Sequence, residues 1–205
     1  MRKKPEKKPV RPPQHARSIQ KFDFIVEAAT RILSESGYAA LTTNEVAKIS
    51  GVSIGSVYEY FRNKDEIVLV IVDRHLTAAE NAVASFDFQD AQNWSLEQVV
   101  NSLVSGFIVL HKDDPRLHRV LSSEVPLTSQ QLRRRQKLEE NLIFGVASVL
   151  KGRVPNPAVQ GTLLVQATDS LIHKWLLDFE GAPVPADVMQ LELEKMLLSY
   201  LASEV

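Results

Sequence analysis

The chain has 205 residues, 44% apolar and 24% charged, which is the balance of a soluble globular protein long enough to bury a core. It has no cysteine, which excludes disulfides, thiolate metal sites and cysteine nucleophiles and fits a cytoplasmic setting, and its longest apolar run, Ile67 to Val72, is far too short to span a membrane. The net charge of −1 conceals an asymmetry: residues 1–64 carry 12 Lys/Arg against 6 Asp/Glu and residues 65–205 carry 12 against 19, a basic front on an acidic body, as in a nucleic-acid binder that touches the polyanion at one end.

The first segment, residues 1–17, sets Pro5, Pro9, Pro12 and Pro13 among lysines and arginines. It cannot bury enough apolar area to offset its ordering entropy and is expected to be a disordered basic arm; with no apolar stretch behind it, it does not read as a secretory signal. From Ser18 the pattern is helical. Phe22, Ile25, Val26, Ala29, Ile32 and Leu33 recur at three- and four-residue spacing, and Gly37 is the stop. Three start signals follow. Thr42 with Glu45 forms a capping box, with Leu41 and Val46 as the hydrophobic staple; Ser53 caps a second short helix; Asn63, with Glu66 at the box position, caps a third. These signals bracket Thr43–Ser50 and Ile54–Tyr60, joined by Gly51-Val52-Ser53: a helix, a tight turn and a helix.

Further along, the spacing predicts helices from Lys64 to about Phe86, from Ser95 to about His111 and from Pro115 to about Glu124. Three more are expected from Ser129 to about Lys151, from Pro157 to about Phe179 and from Pro185 to about Ala202. No β-alternating segment competes, so the fold class is all-α. The division is an N-terminal helix-turn-helix domain over residues 18–64 and a helical body over 65–205.

The stretch Leu41–Lys64, LTTNEVAKISGVSIGSVYEYFRNK, resembles the DNA-binding domain of TetR-family regulators, in its L-T-T start, its E-V-A, its G-V-S turn and its S-V-Y-x-Y-F-x-N-K ending. The likeness spans about residues 20–70; the rest shares only length and helical pattern. It implies a DNA-binding transcriptional regulator, a homodimer that reads a palindromic duplex operator and answers to an unidentified small-molecule effector. Thr43 is similar to the residue that meets phosphate at a helix N-terminus, where anions are favoured. Ser53, Ile54, Gly55 and Ser56 would open the recognition helix in the major groove, Ser53 also serving as cap. Tyr58, Tyr60 and Lys64 resemble the family's remaining phosphate contacts. One departure stands out: the recognition helix holds no Arg, Lys or Gln, and Glu59 is its only charge. Asn44, on the preceding helix, is the one amide placed to compete for a base edge. Phosphate contacts and DNA shape are therefore expected to supply much of the affinity, with the basic arm adding to it.

In the body, Leu163, Leu164, Ala167, Leu171, Trp175 and Phe179 on one helix, and Val188, Leu191, Leu198 and Leu201 on the last, carry more apolar surface than a monomer would cover. By resemblance these two helices form a four-helix bundle across a two-fold axis. Candidate effector contacts are Trp94, Phe107, His111, His118, Phe144, Asp169, His173 and Trp175, polar or aromatic residues on otherwise apolar helices, for each of which ordinary packing is the competing reading. Asp169 and His173 lie four apart, on one helical face, where pairing with each other is the simpler role. Joined to His111 or His118 they would make a metal site, but no two-histidine helical spacing supports one, and neither metal nor cofactor is expected.

The chain has no glycine-rich phosphate loop, no G-x-S-x-G and no H-E-x-x-H, so an enzyme is not expected. Arg133-Arg134-Arg135 reads as an exposed charge run that could meet an anionic ligand. The alternative function is a helical small-molecule-binding protein without sequence-specific DNA binding, which would leave Tyr58, Tyr60 and Lys64 without a role.

Overall fold

The computed structural model describes residues 15–112, 114–175 and 184–202. Among them are nine α-helices and no strand: α1 (Ala16–Ala40), α2 (Thr43–Ser50), α3 (Ile54–Tyr60), α4 (Lys64–Ala84), α5 (Leu96–Lys112), α6 (Pro115–Ser123), α7 (Ser129–Leu150), α8 (Pro157–His173) and α9 (Ala186–Ala202), with one 3-10 turn at Asp90–Asn93. The basic arm lies outside the described residues up to position 14, and Arg17 already belongs to α1. Phe179, Gly181 and Pro183, with which the sequence ends α8, also fall outside them.

The chain divides into two compact units. One comprises the residues up to Arg74 together with Val120–Pro126; the other comprises His75–Arg119 and Leu127 onward. In the first, the apolar stripe of α1 is buried as its spacing requires: Phe22, Ile25, Val26, Ala29, Ile32 and Leu33 all lie in the core. Against it pack Leu41, Val46, Val57, Phe61, Ile67 and Val68. Phe22 and Phe61 stack with centroids 5.0 Å apart.

Gly37 breaks the dihedrals of α1 at φ 76°, ψ 176°, and a further turn follows to Ala40. That combination is open essentially to glycine alone. A side chain there would also strike Glu124, whose Oε2 lies 2.9 Å from where a Cβ would stand. The same carboxylate accepts the N–H of Tyr38 at 3.0 Å, capping the turn that the glycine interrupts.

The second unit is built on Val100, Val104, Val146, Leu150, Leu164, Val165, Ile172, Leu193, Leu197 and Leu201, drawn from α5, α7, α8 and α9. α7 and α8 approach closely at Gly161, where a Cβ would lie 3.1 Å from the backbone nitrogen of Ala147. α7 begins with a complete capping box, Thr128 with Gln131. Of the arginine run, Arg134 is not an idle surface charge: its guanidinium grips both carboxylate oxygens of Glu80, at 2.9 and 2.7 Å. That bond holds the Glu80 carboxyl below the usual range.

Candidate functional site

The helix-turn-helix is assembled from local signals. The Thr42 hydroxyl accepts the N–H of Glu45 at 3.1 Å, Gly51 takes φ 71° to end α2, and the Ser53 hydroxyl accepts the N–H of Ser56 at 3.1 Å. Two of the expected boxes close differently. The Glu45 carboxylate meets Lys48 at 3.1 Å, and Glu66, whose N–H donates to the Asn63 side chain, accepts the N–H of Arg62 at 2.8 Å.

Burial of Val57 and Phe61 seats α3 on the core and turns its opposite face outward. Ile54 is 39% and Tyr58 54% exposed, high values for large apolar and aromatic side chains. Gly55 and Asn44 are exposed, and Ser56 and Thr43 half-buried. The Thr43 and Tyr58 hydroxyls lie 3.2 Å apart, so the first turn of α2 and the outer face of α3 present one continuous polar surface. The Ser53 and Ser56 hydroxyls are joined at 3.1 Å and occupied by the cap.

Tyr60 and Lys64 differ from this surface group. Tyr60 is half-buried, its ring edge-on to Phe22 at 6.0 Å. Lys64 donates its ammonium to the Tyr38 carbonyl at 3.0 Å and sits 4.1 Å over the Tyr38 ring, fastening the end of α1 to the start of α4. The Tyr38 hydroxyl in turn donates to Asp65 at 2.6 Å, and that bond, with burial and the carboxylate's charge, pushes the phenol up to about 12.

In the second unit the structure sorts the eight candidate effector residues. Phe107, His111, His118, Asp169 and His173 converge. Histidines from α5, α6 and α8 bring their ring nitrogens together, the nearest nitrogens of the three lying within 4.8 Å of one another. Trp175 is buried close by in sequence and donates its indole N–H to Val184. Trp94 belongs elsewhere, in an aromatic cluster with Phe86 and Phe88, its N–H donated to Asp90 at 2.9 Å. Phe144 is 77% exposed.

The histidine group has a member that the sequence reading omits. His75, on α4, brings its ring to 4.7 Å from that of His118. Its signal was available only as one polar residue on an amphipathic helix. Burial holds His75, His111 and His118 below the ordinary imidazole range, His118 down to about 2, where the neighbouring rings add to the effect. On His173 burial acts in the same direction, but the hydrogen bond and charge of Asp169 outweigh it and raise the ring's pKa. The Asp169 carboxylate stands 3.1 Å from His173 Nδ1.

Comparison with known proteins bears on both units. Residues 25–71 match the family model described as bacterial regulatory proteins, tetR family, and residues 95–201 match that of the tetracyclin repressor-like C-terminal domain. The HTH-type transcriptional regulator TtgR of Pseudomonas putida is 26% identical over 181 residues, covering 80% of this chain and 84% of that protein. Among solved structures, a bacterial regulatory protein in the tetR family from Rhodococcus RHA1 superposes with a TM-score of 0.69 at 16% identity, covering 90% of this chain and 98% of its own. NalD, the secondary repressor of the MexAB-OprM multidrug efflux pump in Pseudomonas aeruginosa, does so with a TM-score of 0.64 at 16% identity, covering 93% and 100%.

Proposed function

Because the chain belongs to the TetR family of bacterial regulatory proteins and is a DNA-binding transcriptional regulator, we propose that it is a repressor that grips a palindromic operator as a homodimer and leaves it when a small molecule occupies its helical body. The observation that carries this reading is the outward face of α3, with Ile54 and Tyr58 uncovered beside Thr43. An apolar side chain and an aromatic hydroxyl on an exposed short helix suit a groove wall and its phosphates. Ile54 can meet a thymine methyl but donates no hydrogen bond, so sequence discrimination here rests on shape and methyl contacts.

A two-fold pair of such helices is what a palindrome requires. The surface that would join them is on α8 and α9, where Val159, Leu163, Leu171, Val188 and Leu191 stand at least 41% exposed. Leu164, Trp175 and Leu201, which the sequence groups with them, are instead consumed in the protomer's own core. No helix among the described residues is long and apolar enough to cross a membrane. The effector, if it binds among Phe107, His111, His118 and His173, must favour one of the two DNA-binding states to act at all.

Two measurements test the DNA-binding surface. Tyr58→Phe and Thr43→Ala each remove a hydroxyl from the exposed face, and each is expected to weaken operator binding about 3- to 10-fold, the worth of one hydrogen bond, with an unchanged melting temperature. Wild-type affinity in both variants in a fluorescence anisotropy titration discards this pair of hydroxyls as DNA ligands. Removal of residues 1–16, which carry six Lys/Arg in a short stretch, is expected to flatten the slope of log K against log salt by about 0.9 for each phosphate that the arm neutralises in the full chain. An unaltered slope removes the arm from the mechanism.

A further inference from the structure

We propose that His111, His118 and His173 hold a divalent first-row transition ion through their Nε2 atoms, with a further coordination position open to water or to a donor atom of a bound small molecule. This inference concerns the helical body alone and stands or falls independently of the DNA-binding surface. The sequence argued against a metal because no helix offers paired histidines; the fold supplies the set from three helices instead.

Spacing is the first observation. His111 Nε2 lies 3.3 Å from His173 Nε2, and His118 Nε2 lies 2.8 Å from it. A tetrahedral ion with bonds of about 2.0–2.1 Å sets its nitrogens about 3.3 Å apart; the two pairs through His173 already lie within about half an ångström of that, and the third pair, within 4.8 Å, has to close by at most about 1.5 Å.

Proton placement is the second. His111 Nδ1 faces the Phe107 carbonyl at 2.6 Å, and a carbonyl can only accept, so the ring carries its hydrogen on Nδ1. His173 Nδ1 faces the Asp169 carbonyl at 3.0 Å and the Asp169 carboxylate at 3.1 Å, two acceptors again. In their neutral forms both rings therefore aim an Nε2 lone pair at the other. A hydrogen or a cation placed between the nitrogens relieves that repulsion. A single proton can bridge the shorter pair, His118 with His173, but then leaves His111 Nε2 facing another nitrogen. An ion meets all three at once. The Nδ1 bonds to Phe107 and Asp169 are also the outer partners that metal-binding imidazoles ordinarily have, fixing tautomer and ring angle.

Access and selectivity follow from the surroundings. His111 is buried, while the His173 side chain is 29% and that of Asp169 48% exposed, so one edge of the cluster opens to solvent. An all-imidazole set favours zinc, nickel, cobalt or copper over magnesium and calcium, which take oxygen ligands.

The test uses the full chain, without an affinity tag and freed of metal with a chelator. Titration with cobalt(II) is expected to give the intense visible bands of a tetrahedral ion, saturating at a single ion per chain, and zinc(II) is expected to displace it. His111→Asn and His173→Asn are expected to weaken zinc binding by about 100-fold or more, and Asp169→Asn, which alters only a positioning residue on the surface, by about 10- to 100-fold. His75→Gln is expected to change it by less than about threefold, because its ring is not among the three. Should the histidine variants fail to fold, the wild-type spectrum and Asp169→Asn still decide the matter. A cluster that holds only a proton shows no cobalt bands and retains no zinc at micromolar concentration; that result, or unchanged affinity in Asp169→Asn and both histidine variants, overturns the assignment. Loss in His75→Gln equal to that in the trio overturns the choice of ligands.

Discussion

Phe61→Ala is expected to destabilise the helix-turn-helix unit by about 3–5 kcal/mol, the usual cost of emptying a buried phenylalanine site. Phe61 is fully buried and stacks on Phe22 at 5.0 Å. Its backbone N–H also closes the last turn of α3 on Val57. The variant thus opens a cavity where α1 supports the recognition helix. A unit of this size has total stability on the order of 5–15 kcal/mol, so a large fraction of it is removed by one substitution. Thermal unfolding should show a transition of the first unit moved to markedly lower temperature, while helicity of the second persists. Operator binding should fall in step with the folded fraction. A loss below about 1 kcal/mol would mean that Phe61 does not occupy the core as described.

Gly161→Leu is expected to destabilise the second unit by about 3 kcal/mol or more, at the upper end of what overpacking costs. Two effects oppose each other at this position. Replacing a mid-helix glycine gains about 1 kcal/mol of helix propensity. Against that, a Cβ would stand 3.1 Å from the Ala147 nitrogen and 3.2 Å from its Cα and Cβ, and backbone cannot swing aside as a side chain can. For alanine the two terms come close to cancelling. For leucine, with three more carbons, α7 and α8 have to separate along a seam lined by Val146, Leu150, Leu164 and Val165. Chemical denaturation of wild type, Gly161→Ala and Gly161→Leu should rank the first two together and the third far below. Equal stability of all three would show that the helices do not approach at Gly161.

The residues that were legible in the sequence are those whose partners lie within four positions. Thr42, Ser53 and Asn63 each bond a backbone N–H three residues on, and the bounds of α2 and α3 follow directly. The α1 stripe was readable for the same reason, since helical period alone decides which of its residues turn inward. Gly37 was legible as an interruption but not as a bend followed by another turn, because its continuation depends on Glu124, far along the chain. Long-range pairing hid the partner of Arg134, Glu80 on another helix, and the additional bond of Lys64 to the Tyr38 carbonyl. Among the effector candidates, residue type could not say which face each occupies. Phe144 and Trp94 are as aromatic as Phe107, yet only Phe107 packs beside His111, with centroids 6.2 Å apart. The histidines at 111, 118 and 173 are brought together by three helices, and no spacing along one helix encodes that meeting.

The Glu124 carboxylate closing the bend at Gly37 has a consequence for how the chain matures. The DNA-reading head is not finished when its own first 74 residues have left the ribosome; the piece that seals α1 emerges some fifty residues later, with Val120–Pro126. Nascent chains that stop short of this point would carry a head with an open seam, and an excised N-terminal fragment would share the defect.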